Sequence, residues 1–286
     1  MKFVSYNIQY GFGLDGRYDL ERIVASIAGA DIIALQEVTR GSPRNGHVDM
    51  VAAIEALLPD HFGVYGPACD IHGDIIVRDG RQVSRRFQFG NMVLSRWPIL
   101  STRMLLLPRS RTLSKLNMQR GATEAVIDTP RGAFRIYSLH LDHVSPDERI
   151  SQINYLKASL NGFVREGGSL TGGAEVGLTD PPLPEDYVVM GDFNMVPESP
   201  EYSACVGIKD RFYGRVPRFD LPADALDLAG WYKPGCYSWM NPGDHNRRMH
   251  LDYCLISCGL QSRLKSARVD IDAEGSDHFP VWMELG

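Results

Sequence analysis

The sequence predicts an α/β fold in which two mostly antiparallel sheets pack face to face with helices outside them. Three observations predict it. Short apolar strand patterns alternate with helical patterns in both halves of the chain; no short-period repeat competes with that plan; and strand after strand ends or begins on a polar group. Where such strand ends from the two halves meet, a single site forms.

The elements follow in order. "KFVSYNI" alternates in the strand manner, with Phe3 and Ser5 on one side and Val4 and Tyr6 on the other, before the glycines of "QYGFGLDG" make a loop. "DLERIVASIAGA" places Leu20, Ile23, Val24 and Ile27 at helical spacing, with Asp19 as N-cap and Gly29 near the stop. "DIIALQEV" is a second buried strand; the first ends on Asn7, this one on Gln36 and Glu37. "GNMVLSRWPIL", "GATEAVIDT" and "GAFRIYSLHL" read as an antiparallel run turning between Thr129 and Gly132. A helix start follows in "SPDERISQINYLKASLNGFV", where Ser145 and Glu148 form a capping box and Pro146 takes the first helical position. Residues 166–186 hold five Gly and three Pro, which predicts a surface loop. It is not a domain boundary, because "YVVMGDFN", "HLDYCLIS" and "HFPVWMEL" resume the strand plan, so residues 1–286 read as one domain.

Composition bounds the function. With 44% hydrophobic and 23% charged residues the chain is an ordinary globular protein. Its first residues lack an apolar signal core and no apolar run approaches the roughly 18 residues of a membrane span, which predicts a cytoplasmic protein. Five cysteines without a C-x-x-C pair predict neither a disulfide framework nor a zinc ribbon, but core residues. The net charge of −5 argues against a dedicated nucleic-acid binder, yet Arg78 to Arg120 carries ten basic residues against Asp79 alone. That stretch is either an anion-binding face or a solvated surface balanced by acids elsewhere.

The polar strand ends carry the chemistry. In "VVMGDFNMVP" the period-2 geometry of extended chain puts Asp192 and Asn194 on one side and Phe193 in packing. Taken alone, such a pair reads as ordinary turn residues rather than catalytic ones. Collected with Asn7, Glu37, His140, Asp252, Asp277 and His278, it makes a set of carboxylates, imidazoles and amides with no sulfur. Hard oxygen donors of this kind suit Mg²⁺ or Mn²⁺, and Mg²⁺ fills its remaining positions with water and phosphate oxygens.

These residues also carry a resemblance. "SYNI" with Asn7, "ALQEV" with Glu37, "SLHLDH" with His140, "GDFN" with Asp192 and Asn194, "HLDYCLIS" with Asp252 and "SDHFPV" with Asp277 and His278 resemble the ordered motifs of the endonuclease/exonuclease/phosphatase superfamily, from residue 3 to residue 282. That superfamily, similar in plan to DNase I, comprises Mg²⁺-dependent hydrolases of phosphate esters on a four-layer α/β sandwich. The resemblance implies that Glu37, with Asn7 and Asp277, holds the metal; that Asp192 orients or deprotonates the attacking water; and that Asn194 donates to phosphate oxygens. It further implies that His278, oriented by Asp252, contacts the phosphate or assists the base. His140 becomes a phosphate donor or general acid, and Arg120 in "MQRGAT" neutralises phosphate charge. His143 and Arg149 fit a variant "HLDH…R" pattern of bacterial members, although Arg149, just past the capping box, reads equally as a solvent-facing residue. Trp239 in "YSWM" reads as packing and Asn91 in "GNMVLSR" as structural.

The resemblance narrows the substrate only partly. "YSLHLDH" stands where abasic-site endonucleases carry Tyr-x-Pro-Asn, and "HLDYCL" where inositol-polyphosphate phosphatases carry Cys-Asp-Arg. The expectation is an Mg²⁺- or Mn²⁺-dependent phosphodiesterase on a small organic or lipid-headgroup substrate. A DNase-like nuclease is the alternative enzyme. A binding protein of the same fold is the alternative of another class, and it would need a broken site, whereas none of the eight positions at the strand ends is broken.

Overall fold

A computed structural model describes residues 1–286. In chain order its elements are β1 (Lys2–Asn7), α1 (Leu20–Ser26), β2 (Ile32–Arg40), α2 (Met50–Leu57), β3 (Phe62–Arg78), β4 (Arg81–Ser95), β5 (Ile99–Leu106), β6 (Gly121–Thr129) and β7 (Gly132–His140). The second half continues with α3 (Pro146–Glu166), β8 (Tyr187–Asp192), α4 (Pro200–Val206), β9 (Ala223–Asp224), α5 (Ala225–Leu228), β10 (Trp239–Asn241), β11 (Asp244–Met249), β12 (Asp252–Ile256), β13 (Leu264–Val269) and β14 (Val281–Leu285).

Each of two six-stranded sheets grows outward from one parallel pair. In the first, ordered β13-β14-β1-β2-β4-β3, strands β1 and β2 run parallel across the α1 connection. In the second, ordered β5-β6-β7-β8-β12-β9, strands β7 and β8 run parallel across α3. Every other pairing is antiparallel, including the separate β10-β11 hairpin. Parallel register aligns the polar residues: Asn7 lies beside Gln36, and His140 beside Asp192, although β2, expected to end on Gln36 and Glu37, bulges there and runs on to Arg40. β12 then starts at Asp252 directly opposite Asp192.

Side-chain alternation makes four layers of this plan. Phe3, Ala34, Val93, Ile136, Val188, Cys254 and Met283 fill the gap between the sheets. One residue along, Val4, Ile33 and Leu35 face the opposite way and pack under Ile23 of α1 and Ile54 of α2. On the second sheet Tyr137, Leu139 and Val189 meet Ile153, Leu156 and Leu160 of α3 and Tyr202 of α4. Three separate apolar layers thus hold helices, sheet, sheet and helices, and each apolar strand residue finds a partner layer whichever way it points. Cys205 and Cys254 are core residues as expected, whereas Cys69, Cys236 and Cys258 are half-buried.

The capping residues hold with one exchange. Asp19 accepts from the Arg22 N–H at 2.9 Å, and Ser145 Oγ from the Glu148 N–H at 3.3 Å. The reciprocal arm of the capping box is absent, however: the Ser145 N–H goes to Asp142, and the Glu148 carboxylate accepts from the Ser110 N–H and from Asn117. Glu148 therefore ties the 108–117 segment to α3. Residues 166–186 form a mostly exposed loop with one 3-10 turn, Gly173–Val176, braced by Asp180.

The basic stretch does not form one face. Arg85 pairs with Asp74, Arg86 with Asp70, Arg96 with Asp31, and Arg103 with both Glu124 and Glu166, while Arg120 turns inward. Acids elsewhere in the fold thus balance four of the ten basic residues, whereas Arg78, Arg81, Arg109, Arg111 and Lys115 stay exposed without a carboxylate partner, so both readings hold in part. No helix is long and apolar enough to cross a membrane.

One core residue carries a pH dependence. His250 is buried against Trp231, Tyr232 and Tyr253, and neither ring nitrogen has a hydrogen-bond partner. Burial lowers its pKa from 6.5 to about 3. Between those values the unfolded chain binds the extra proton, so stability falls as pH drops from 6.5 toward 3. At pH 5 this term costs about 2 kcal/mol. Urea unfolding at pH 7.5 and pH 5 is expected to show His250→Phe losing less stability than the wild type by about that amount; equal losses would mean that water reaches the ring.

Candidate active site

The two sheets present their polar strand ends at one edge, and three local devices aim them. The first is a β-bulge in β2. Leu35 faces Met92 and Val38 faces Gly90, so Gln36 and Glu37 share a single partner position. Leu35 and Val38 both pack in the outer layer, and Glu37, the extra residue, takes a φ of 59° that turns its carboxylate into the site. The second is Gly191, where a Cβ would overlap the Leu139 carbonyl; its absence lets β7 and β8 close tightly beside His140 and Asp192. The third is an Asx turn, in which Asp192 Oδ1 accepts from the Asn194 N–H at 2.9 Å while Asn194 takes a φ of 50°.

Asp192 is the centre. Its Oδ2 accepts from Asn7 Nδ2 at 3.0 Å and lies 3.3 Å from His140 Nε2 and 3.7 Å from His278 Nε2. Asn7 Nδ2 also reaches Glu37 Oε1 and His278 Nε2, each at 3.4 Å. His278 Nδ1 meets Asp252 Oδ2 at 2.9 Å, and Ser238 Oγ donates to the same oxygen at 2.6 Å. Asp277 sits beside His278 with its Oδ2 accepting from the Trp239 indole N–H at 3.0 Å. Arg120 is buried, donates from Nη2 to His143 Nδ1 at 2.9 Å, and keeps Nε and Nη1 without a protein partner. Asn194 Nδ2 donates to the Leu141 carbonyl at 3.1 Å, so part of its amide is engaged with backbone. All nine residues singled out in the sequence therefore lie at this edge.

Charge is unevenly paired here. Burial, then the Asp277 charge, raises the Glu37 carboxyl to about 7, against the pull of His278 and Arg120. Asp192 rises to about 6, chiefly by burial, and Asp277 rises for the same reason. Burial would lower His278, but Asp252 and Asp192 outweigh it and hold the ring protonated. His140 goes the other way: burial first, then Arg120 and His278, keep it neutral.

A cation has two candidate positions. Ligand atoms of Asp192, Asp252 and His278 lie within 4.8 Å of one another. Yet His278 and Asp252 already satisfy each other, and a protonated ring offers no lone pair. Glu37 and Asp277, with the Asn7 amide, are oxygen donors whose mutual repulsion a divalent cation would relieve, and the fit is better there.

Several readings of the sequence change. Trp239 is not only packing, since its N–H fixes Asp277. Arg149 does not face solvent: it is buried, ion-paired with Glu201 at 2.6 Å and bonded to the Asp142 carbonyl. His143 is exposed and partners Arg120. Asn91 is structural, donating to the Gly121 carbonyl. Ser238, which accepts from the N–H groups of Leu251 and Asp252 and donates to the Asp252 carboxylate, went unmarked. Only the hairpin that brings it to β12 reveals it.

Comparison with known proteins agrees with this geometry. The family model described as the Endonuclease/Exonuclease/phosphatase family matches residues 4–278. No curated protein matches the chain. Among solved structures, an endonuclease/exonuclease/phosphatase family protein from Leptotrichia buccalis aligns with a TM-score of 0.67 at 15% identity, over 100% of this chain and 99% of that one. A mannosyl-6-phosphatase from Bacteroides thetaiotaomicron gives 0.64 at 16%, over 100% and 99%. A 3′ phosphatase from Neisseria, bound to a product DNA hairpin, gives 0.59 at 18%, again over 100% and 99%. At these identities the likeness is one of fold, the DNase I-like α/β sandwich.

The raised Glu37 carboxyl has a measurable consequence. Its folded value of about 7 lies above the ordinary 4.5, so the folded state holds a proton that the unfolded chain releases, and stability falls as pH rises from 4.5 through 7. In chelator at pH 8, Glu37→Gln is expected to unfold at higher urea than the wild type, by about 1–3 kcal/mol. Mg²⁺ is then expected to stabilise the wild type more than the variant. A variant less stable than the wild type in chelator would make Glu37 a structural residue.

Proposed function

Because this chain belongs to the endonuclease/exonuclease/phosphatase family, whose members hydrolyse phosphate esters, we propose that it is a divalent-metal-dependent phosphodiesterase acting on a small organic or lipid-headgroup substrate. One observation carries the reading: a buried guanidinium with two unpartnered nitrogens, Arg120, stands beside carboxylates whose charges repel. A site short of an anion at one point and of a cation at the next suits a phosphate group and a metal ion together.

Glu37, Asn7 and Asp277 would hold Mg²⁺ or Mn²⁺, which when bound supplies positive charge to the phosphoryl and leaving oxygens. Trp239 fixes the Asp277 carboxylate. Arg120 takes phosphate oxygens on Nε and Nη1, and Asn194 adds a donor as charge grows. Asp192, unprotonated once a cation offsets its neighbours, orients the attacking water and accepts its proton. The resting proton sits on His278, held by Asp252, so His278 is the group able to protonate the departing oxygen. His140 is neutral, and its Nε2–H, 3.3 Å from Asp192 Oδ2, is the donor it offers to the phosphoryl group. The preference for a small substrate is supported by the net charge of −5 and by the pairing of four of the ten basic residues between Arg78 and Arg120 with acids.

Chelator is expected to abolish turnover and Mg²⁺ or Mn²⁺ to restore it; full activity in metal-stripped protein would sink the proposal. Trp239→Phe is expected to raise the Mg²⁺ concentration for half activation about tenfold.

The two histidines separate by leaving group, since an alkoxide needs a proton far more than a nitrophenolate does. His278→Ala is expected to damage hydrolysis of alkyl diesters more than of bis(4-nitrophenyl) phosphate, and His140→Ala to damage both alike. Each comparison is a ratio of kcat/KM values within one variant, so a lowered active fraction cancels. The opposite pattern would exchange the two roles. Affinity for duplex DNA is expected to be absent or to depend weakly on salt; a slope steeper than about −4 with strand cleavage would make the enzyme a nuclease.

A further inference from the structure

The turn that follows Asn7 is strained. Gln9, Tyr10 and Gly11 take φ of 42°, 58° and 92° in succession, a left-handed run that only the glycine adopts freely. Two neighbours hold it in place: Asn7 Oδ1 accepts from the Gln9 N–H at 3.1 Å, and buried Asn45 donates to the Tyr10 carbonyl at 3.4 Å. The result is to set the Tyr10 ring at the mouth of the site. Its centroid lies 5.5 Å from that of Phe89, which lies 5.9 Å from the His140 ring and 5.6 Å from the Arg120 guanidinium.

On its other side Tyr10 meets a second guanidinium. Arg44 stands 4.9 Å from the Tyr10 centroid and 5.2 Å from that of Phe12. It is exposed, and unlike Arg40, Arg85, Arg86 and Arg103 it has no carboxylate partner. The phenol feels both cations: burial and Glu37 push its pKa up, while Arg120 and Arg44 pull it down. A long, charged side chain clamped by two rings has lost much of its rotamer freedom before any ligand arrives, yet its fork of donors stays open.

We infer that Arg44, clamped by Tyr10 and Phe12, is a second anion site, and that the substrate carries another phosphate or carboxylate on the group esterified to the phosphate at Arg120. The inference rests on the phosphoester reading and narrows its substrate to a small molecule with two separated anionic groups. Arg44 then selects among phosphoesters by gripping the part that does not react.

The test compares thymidine 3′,5′-bisphosphate with thymidine 5′-monophosphate as competitive inhibitors of bis(4-nitrophenyl) phosphate hydrolysis. Titration calorimetry on the Mg²⁺-loaded protein supplies a readout that needs no turnover. The bisphosphate is expected to bind wild type about tenfold tighter, and Arg44→Gln and Tyr10→Leu to remove most of that advantage. Equal affinities in the wild type, or an advantage that survives in both variants, would overturn the inference. An advantage seen by calorimetry and lost in Arg44→Gln, in protein that hydrolyses no phosphoester, would uphold the anion site and refute the catalytic reading. If a single-stranded oligonucleotide outcompetes the bisphosphate with a steep salt slope, Arg44 is one of many backbone contacts and the small-substrate assignment falls.

Discussion

Asn7 donates to Asp192 at 3.0 Å across the seam between the two sheets, and the rest of the site is arranged around that bond. Asn7 ends a strand of the first sheet and Asp192 ends a strand of the second, so the contact joins residues 185 positions apart in a place from which water is excluded. The other short bond to Asp192, from the Asn194 N–H at 2.9 Å, is local, and the other contacts of Asn7 Nδ2 lie at 3.4 Å, so losing this bond would leave a buried carboxylate oxygen and a buried amide poorly paired, at a cost of about 1–3 kcal/mol. The register of both parallel pairs is thereby fixed against the other sheet. A second polar bridge repeats the device one residue along, where Gln36 donates to Ser138 and Ser138 to the Leu35 carbonyl. Apolar layers hold the sheets together, but they tolerate sliding; these bonds set where the strand ends stop.

The electrostatics follow from where that edge lies. Carboxylates at this edge, Glu37 at the bulge of β2, Asp192 at the end of β8 and Asp277 in the segment before β14, are desolvated by the same packing that orders them and become reluctant to ionise. His278 escapes because it lies between Asp252 and Asp192, whereas His140, beside Arg120, does not. Two buried histidines, one ending β7 and one in the segment that leads into β14, are thus held in opposite protonation states by their neighbours. Divergence of this kind is how one site keeps a proton donor and a neutral donor at the same pH.

Much of this was legible in the sequence, and the reason is periodicity. "KFVSYNI" and "YVVMGDFN" declare buried strands by their apolar residues and declare their ends by the polar residue that breaks the pattern. Asp19 and Ser145 announce helix starts by local chemistry that the fold then uses. What stayed hidden depends on residues far apart in the chain. Trp239 reads as a packing aromatic because nothing nearby shows that Asp277 will lie under its N–H. Arg149 looks exposed because Glu201 sits on a different helix, 52 positions away. The basic stretch looks more uniformly charged than it is because the carboxylate partners of four of its arginines, Asp31, Asp70, Asp74, Glu124 and Glu166, all lie outside it. Charge counted along the chain overstates charge displayed on the surface.

Strain marks the same edge. Of the non-glycine residues with left-handed backbone, Gln9 and Tyr10 follow Asn7, Glu37 occupies the bulge, and Asn194 follows Asp192. Each such conformation costs on the order of 1–3 kcal/mol and persists only where surrounding structure over-determines it. Here that structure is the pair of parallel strands on each side, whose buried hydrogen bonds leave the last residues no room to relax. A relaxed β2 would put Glu37 in the outer apolar layer, and a relaxed turn after Asn7 would swing Tyr10 away from Phe89. The cost of misplacing a carboxylate among hydrocarbon exceeds that of one strained φ, so the strand ends hold the site open and the apolar layers bear the difference.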